Sequence, residues 1–328
     1  MRGLVLACIV GSVLCQRTHQ GVTWDQDQVK SIPQVFTTET DRDFIERAHK
    51  LRIVAITEGC SDYEKRMIIL EDGTKVCCKH RVNYQQLQSE LYSFHLSRLL
   101  NIYNVPPAII VKVDYGSAQW RAVVQDANKA GLRHGMVVVF TEYLENLLPT
   151  YIPPQLQIKN EVLLPTNISL KYLPERTIHQ LIQWTNLIVF DYITANSDRV
   201  MNALSNLQWN PRVIKLPVHN LYETSQGTIV FIDNESGFWL GYKLASESEN
   251  HQHLQKSYIT KICIVDGTVL HAIEQLLDLG GEVLHKRLVE HDPTSCRYIP
   301  MIRDSIVDEL ENRLTFTLNT IHSCSKSS

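Results

Sequence analysis

Two acids stand where phosphoryl-transfer chemistry would use them. Asp198 lies in a short loop after a long amphipathic stretch, residues 175–195. Asp233 closes a β-rich run, residues 227–232, and opens the tripeptide Asp233-Asn234-Glu235. An acid on a loop after a helix can orient an acceptor hydroxyl and take its proton, and an acid at a strand end can hold the metal that travels with ATP. The same two acids also suit ordinary turns, which Asp and Asn favour. Lys79 ends the strand-like V-C-C-K, and Glu90 follows eleven residues later inside an expected helix. A strand lysine paired with a helix glutamate holds nucleotide phosphates. Taken alone, the pair reads first as a surface lysine and a solvent-facing glutamate, but Glu90 neighbours Leu87, Leu91 and Phe94 near the apolar face.

The surrounding signatures depart from the usual protein-kinase pattern. No G-x-G-x-x-G occurs, so a phosphate-covering loop would have to be the turn at Gly59. The loop acid occurs as Ser197-Asp198-Arg199 and not as H-R-D. The place five residues after Asp198, where a metal-binding Asn is usual, is Ala203. Asn202, one residue early, is the candidate metal ligand beside Asp233, with Asn206 as a second choice. The thirteen histidines show no metal spacing and read as structural. Neither a G-x-S-x-G elbow nor an H-E-x-x-H helix is present, which leaves serine hydrolases and zinc proteases without a motif.

The elements that would position these residues follow from pattern. Residues 41–51 predict a helix, 53–56 and 66–70 strands, and Glu71-Asp72-Gly73 a hairpin turn into a strand over 74–79. Asn83 is placed to cap a helix over 83–100, and Asn104-Val105-Pro106-Pro107 stops it. Residues 109–113 and 136–141 predict two more strands. Five strands and one major helix are the inventory of a kinase small lobe. Beyond Tyr151 the chain turns mainly helical, over 175–195, 254–264, 269–279, 283–291 and 303–322. The expectation is an α+β, two-lobed chain, with a β-rich small lobe over 41–145 and a mainly helical large lobe over 146–328. Residues 1–15 are expected to be a signal peptide or short anchor, and 16–40 a leader.

Composition narrows the setting. With 44% hydrophobic and 20% charged residues the 328-residue chain is that of a globular protein. A net charge of -3 without a Lys/Arg run argues against nucleic acid as a partner. Arg2, the apolar residues 3–14, and the small Val13 and Cys15 ahead of Gln16 make a secretory signal, with a membrane role only if that segment stays uncleaved. Removing Cys8 and Cys15 leaves Cys60, Cys77, Cys78, Cys263, Cys296 and Cys324, an even set that suggests disulfides in an oxidising compartment. Six cysteines allow fifteen pairings, and no C-x-x-C supports zinc. Asn167-Ile168-Ser169 is a glycosylation acceptor; Asn234-Glu235-Ser236 fits the same pattern but would put sugar on the metal site.

At these residues the chain resembles the four-jointed family of Golgi or secreted Ser/Thr kinases, related to the secretory kinases that act on casein-like proteins and on xylose. The resemblance is carried by E-G-C (58–60), D-G-T-K-V-C (72–77), Q-L-Q-S-E-L-Y-S-F-H-L-S-R-L-L (86–100) and V-P-P (105–107). It continues through Q-W-T-N-L-I-V-F-D-Y-I-T-A-N-S-D-R (183–199), L-Q-W-N-P-R-V (207–213), V-F-I-D-N-E-S-G (230–237), S-Y-I-T-K-I-C (257–263) and H-S-C (322–324). It implies a kinase in the Golgi lumen or outside the cell, using ATP with Mn²⁺ or Mg²⁺. Its substrates would be extracellular cadherin repeats of the Fat and Dachsous type, in planar cell polarity and growth signalling. By position it makes Asp198 the catalytic acid, Asp233 the metal ligand, Glu90 the small-lobe glutamate and Lys79 the nucleotide lysine. It implies Cys60, Cys77, Cys263 and Cys324 as the family cysteines, with Cys263–Cys324 tying down the last helix; Cys78 and Cys296 are then extras, expected to pair with each other. The alternative is a pseudokinase, a secreted binding module with the same fold; Ala203 and the missing glycine-rich loop favour it. A sugar kinase is a third reading, which the Asp-Asn-Glu tripeptide disfavours.

Overall fold

The computed structural model describes residues 23–60, 65–157, 172–207 and 209–324. The expected signal at 1–15 and the expected acceptor Asn167 lie outside them. Two helices lead, α1 (Gln26–Lys30) and α2 (Thr38–Lys50), followed by β1 (Ile53–Glu58), β2 (Lys65–Leu70) and β3 (Lys75–Lys79). Helix α3 (Tyr84–Leu99), strand β4 (Ala108–Lys112), helix α4 (Val124–Lys129) and strand β5 (Val137–Glu142) complete this half. The strands form one antiparallel sheet in the order β1-β2-β3-β5-β4. Gly73 makes the β2–β3 turn at φ +87, a left-handed conformation that glycine adopts without steric cost. One face of the sheet buries Ile53, Ile68, Val76, Val111 and Phe140 with Phe44 of α2 and Trp120.

The second half holds β6 (Leu148–Pro149), α5 (Pro154–Gln157), α6 (Glu175–Thr194), α7 (Val200–Asn206), β7 (Leu221–Glu223) and β8 (Ile229–Phe231). Five helices follow: α8 (Trp239–Glu247), α9 (Glu249–Ile259), α10 (Gly267–Leu279), α11 (Glu282–His291) and α12 (Asp304–Cys324). Strands β6, β7 and β8 form a small antiparallel sheet that carries Asp233 at its exit.

Helix α6 is amphipathic, as expected, but beyond its first turns the polar face is covered as well. Every residue from Leu181 to Thr194 is buried, and polar members of the stretch find partners inside: Gln183 Oε1 accepts from Asn104 and the Ile229 amide, Thr185 accepts from Trp24, and Asp191 pairs with Arg199. Its C-cap, Ala195, sits at φ 54 and turns the chain into the Asp198 loop. Helix α8 packs against that cap through Gly241, where a Cβ would lie 2.2 Å from the Ala195 carbonyl oxygen, so only glycine fits. Helix α3 is likewise buried over most of its length and touches β4, β5, α8 and α11, which makes it the seam between the halves. As expected, Asn83 caps it, accepting from the Gln85 amide at 3.0 Å.

The described part of the segment expected as a leader, residues 23–40, is built into the fold. Trp24 and Phe36 are buried, and Trp24 Nε1 donates to Thr185 Oγ1 of α6 at 3.1 Å. Two aromatic anchors outweigh the polar composition around them.

Two disulfides form, Cys60–Cys77 and Cys263–Cys324, the latter holding the end of α12. The expected Cys78–Cys296 pair does not form; both thiols are free. Adjacent side chains on a strand point to opposite faces. Cys77 therefore turns toward Cys60, while Cys78 packs into the small-lobe core and Cys296 against the other core.

Candidate active site

Register puts two lysines side by side. Lys65 opens β2 and pairs with Lys79 at the end of β3. Both side chains are buried, and both reach the same carboxylate: Lys65 Nζ lies 2.5 Å from Asp233 Oδ2, and Lys79 Nζ bonds Asp233 Oδ1. Lys79 also donates to Glu90 Oε2 of α3 at 2.7 Å. Lys79, Glu90 and Asp233, far apart in sequence, are thus one chain of charge across the two halves. Lys65 is a member that pattern did not single out; its facing position opposite Lys79 in the β2–β3 hairpin is the signal that could have found it.

The Asp-Asn-Glu tripeptide is held at all three positions. Asp233 sits at φ 60, a left-handed conformation that Asp tolerates better than most residues. Asn234 is wholly buried; its amide N–H donates to Glu90 Oε2 at 3.0 Å and its side chain to the Phe231 carbonyl at 3.1 Å. Glu235 accepts a forked pair from Arg81, with Nε 2.9 Å and Nη2 2.8 Å away. Arg199, next to Asp198, is buried and ties the acidic loops together. It bonds Asp191 of α6 at 2.6 Å, the Ile232 carbonyl at 3.0 Å and Asn234 Oδ1 at 3.0 Å.

Asp198 stands apart from the lysines. Asn220, the residue before β7, donates from Nδ2 to Asp198 Oδ2 at 2.8 Å, and His219 Nδ1 is 3.5 Å from the same oxygen. Asn202 does not join them. It is exposed on α7 and accepts from Asn206 at 2.7 Å, because the turn after Asp198 is helical and points both residues away. Asn202, expected as a metal ligand with Asp233, is turned toward Asn206, and the asparagine that reaches Asp198 is Asn220.

The charges are tuned in opposite directions. Burial resists ionisation of Asp233, but Lys79 and Lys65 outweigh it and hold its carboxyl well below the usual range. Burial pushes Asp198 up, with the charge on Asp233 adding to the rise and His219 opposing it. A carboxylate kept ionised and a more basic one nearby suit a metal ligand and a proton acceptor.

Between the two sheets lies a cavity of about 280 Å³. Lys65, Lys79 and Glu90 line its charged end, and Tyr143, Leu147 and Ile232 its more apolar part. The Cys60–Cys77 disulfide lies at its wall. The oxygens of Asp233, Glu90 and Asn220 are hard donors of the kind Mg²⁺ and Mn²⁺ take. Among the described residues no three acidic, His or Cys side chains cluster to hold an ion by themselves. The donors therefore fit a metal that arrives with nucleotide phosphates, which complete its shell.

A sheet-rich lobe and a helical lobe closing on a nucleotide-sized cavity, with a strand lysine paired to a helix glutamate, are the architecture of a protein kinase. The solved structure of the Golgi casein kinase with Mn/ADP bound matches it with a TM-score of 0.56 at 11% identity, over 93% of this chain and 82% of that one. The chain belongs to the four-jointed box family: the Four-jointed box protein middle domain matches residues 39–327. Human (Homo sapiens) Four-jointed box protein 1 is 30% identical over 314 residues, 93% of this chain and 71% of that protein. The extracellular serine/threonine protein kinase four-jointed of Drosophila melanogaster is 28% identical over 361 residues, 93% of this chain and 61% of that protein. Among the described residues no helix is long and apolar enough to cross a membrane.

Proposed function

We propose that this chain is a secretory-pathway protein Ser/Thr kinase of the four-jointed type, working in the Golgi lumen or outside the cell with ATP and Mn²⁺ or Mg²⁺. The observation that carries the reading is Lys79 bonded at once to Glu90 and Asp233 beside the interlobe cavity. ATP places its base in the apolar part of the cavity and its phosphates on Lys79 and Lys65. Asp233 and Asn220 would hold the metal, whose charge offsets that of the phosphates. Asp198 orients the acceptor hydroxyl and takes its proton as the oxygen bonds to the γ-phosphorus; the bond to the β–γ bridging oxygen breaks and ADP leaves. The buried Lys79–Glu90 pair sets the lysine's position in advance, so little reorganisation is needed there at transfer.

The acceptors in this reading are Ser or Thr of extracellular cadherin repeats of the Fat and Dachsous type, which places the chain in planar cell polarity and growth signalling. The name of the Drosophila relative supports Ser or Thr acceptors outside the cell, and the cadherin class is what the family resemblance implies. The test is transfer of labelled phosphate from ATP to a purified cadherin-repeat fragment, with Asp233→Ala as control. Label on Ser or Thr that falls by about a hundredfold or more in the variant is expected. Folded protein that binds nucleotide but gives no label above the variant would overturn the kinase reading in favour of a pseudokinase.

A further inference from the structure

The chain between the catalytic loop and Asn220 is longer than the site itself needs. From Arg199 to Tyr222 it holds no acidic residue, although the whole protein carries a net charge of -3. Arg199 is buried and paired, but Arg212 and Lys215 are exposed, and among the described residues neither has an ion-pair partner. They lie on one 3₁₀ turn, Pro211–Lys215, which Asn210 caps by accepting from the Arg212 amide at 3.1 Å. A 3₁₀ helix has about three residues per turn, so side chains at i and i+3 stand one above the other. Arg212 and Lys215 therefore form one ridge, while Val213 and Ile214 between them are partly buried.

Apolar surface flanks the ridge at both ends. Trp209 is 81% exposed and Leu216 51% exposed. The segment is nonetheless anchored: the Trp209 amide bonds the Asn206 carbonyl at 3.0 Å, and Val218 is buried with its amide on the Thr150 carbonyl at 2.8 Å. Two residues beyond Val218, Asn220 bonds Asp198. Five residues separate Lys215 from Asn220, a span of at most about 18 Å. An extended peptide with its hydroxyl at Asp198 reaches the ridge within about five or six residues.

We infer that the segment from Trp209 to Leu216 is a docking platform for an acidic stretch of the protein acceptor, flanking the hydroxyl to be phosphorylated. Arg212 and Lys215 meet the acidic side chains, and Trp209 and Leu216 cover apolar atoms beside them. An exposed tryptophan next to unpaired basic residues is the composition of a binding surface. Charge complementarity selects an acidic occupant. The inference rests on the kinase reading for its role, but the surface can be tested apart from it.

The test uses the full chain and two Ser-containing peptides, one with an acidic flank and one with a neutral flank. Binding is read by fluorescence anisotropy of the labelled peptides and transfer by steady-state kinetics. The unaltered chain should bind the acidic peptide more tightly, and the double variant Arg212→Glu, Lys215→Glu should lose that preference by about tenfold. KM for the acidic peptide should rise to match, with kcat unchanged. Trp209→Ala should weaken both peptides. Equal binding of the two peptides by the unaltered chain overturns the platform, even if both are phosphorylated. Selective anisotropy without any phosphate transfer sinks the kinase reading and leaves the platform standing. Loss of binding to anionic phospholipid vesicles in the double variant, with peptide affinity unchanged, would assign the ridge to a membrane surface and also overturn the inference.

Discussion

Asn220 donates to the Asp198 carboxylate over 2.8 Å, although twenty-two residues separate them. The backbone on either side explains the reach. Asn220 adopts φ 56, and its carbonyl accepts from the Ile232 amide at 3.2 Å, so the residue is fastened to the strand that delivers Asp233. Asn220→Ala should lower kcat by about a hundredfold, as loss of one placed donor does elsewhere. The bond favours ionised Asp198, so its loss raises that pKa further and moves the acid limb of the rate profile to higher pH. Asn202→Ala should leave rate and profile unchanged; equal losses in both variants would reject the assignment.

The two disulfides should separate into different phenotypes. Cys60→Ser with Cys77→Ser opens a crosslink spanning 17 residues at the cavity wall, and Cys263→Ser with Cys324→Ser one spanning 61. Chain entropy alone assigns them about 3 and about 4 kcal/mol of stability. The second pair of substitutions should lower the melting temperature more but leave KM for ATP alone. The first should raise KM for ATP. Thermal melts and nucleotide titrations of the same preparations distinguish the two.

His95 makes stability depend on pH. It is buried on α3 with Nε2 unpartnered, and burial lowers its pKa to about 3, with Arg287, His291 and Arg98 also disfavouring charge and Asp292 favouring it. As pH falls below about 6.5 the unfolded chain takes up a proton at this histidine that the folded protein refuses. Stability from this group therefore declines from about pH 6.5 toward about pH 3, by roughly 1.4 kcal/mol per unit. His95→Leu should shrink the difference between unfolding free energies at pH 7.5 and pH 5 by about 2 kcal/mol. An unchanged difference would locate the acid sensitivity elsewhere.

What sequence pattern revealed, and what it missed, follows from range. Lys79, Glu90 and Asp233 each terminate or sit inside an element with strong local signals, so their positions were legible, and the structure brings them together. Asn220 was not, because the helical turn of α7 and the 3₁₀ segment intervene between it and Asp198. Lys65 lies one residue before the strand expected over 66–70, so only the hairpin register, carried one pair further, sets it beside Lys79. Periodicity shows the apolar face of α6 but not that its polar face is covered too. The free Cys78 and Cys296 show the same limit: an even cysteine count says nothing about which thiols the fold keeps apart.

Asn234 heads the Asn-Glu-Ser acceptor pattern, yet its side chain has no exposed surface and is bonded to Arg199 and Glu90. Oligosaccharide attached to this amide while the chain is still being threaded into an oxidising lumen would leave nowhere for the sugar to go. In a chain that enters the secretory pathway as proposed, folding and glycan transfer would compete for one nitrogen. In the folded chain that nitrogen is already engaged by Glu90 and the Phe231 carbonyl, so completing the two lobes closes the position to sugar.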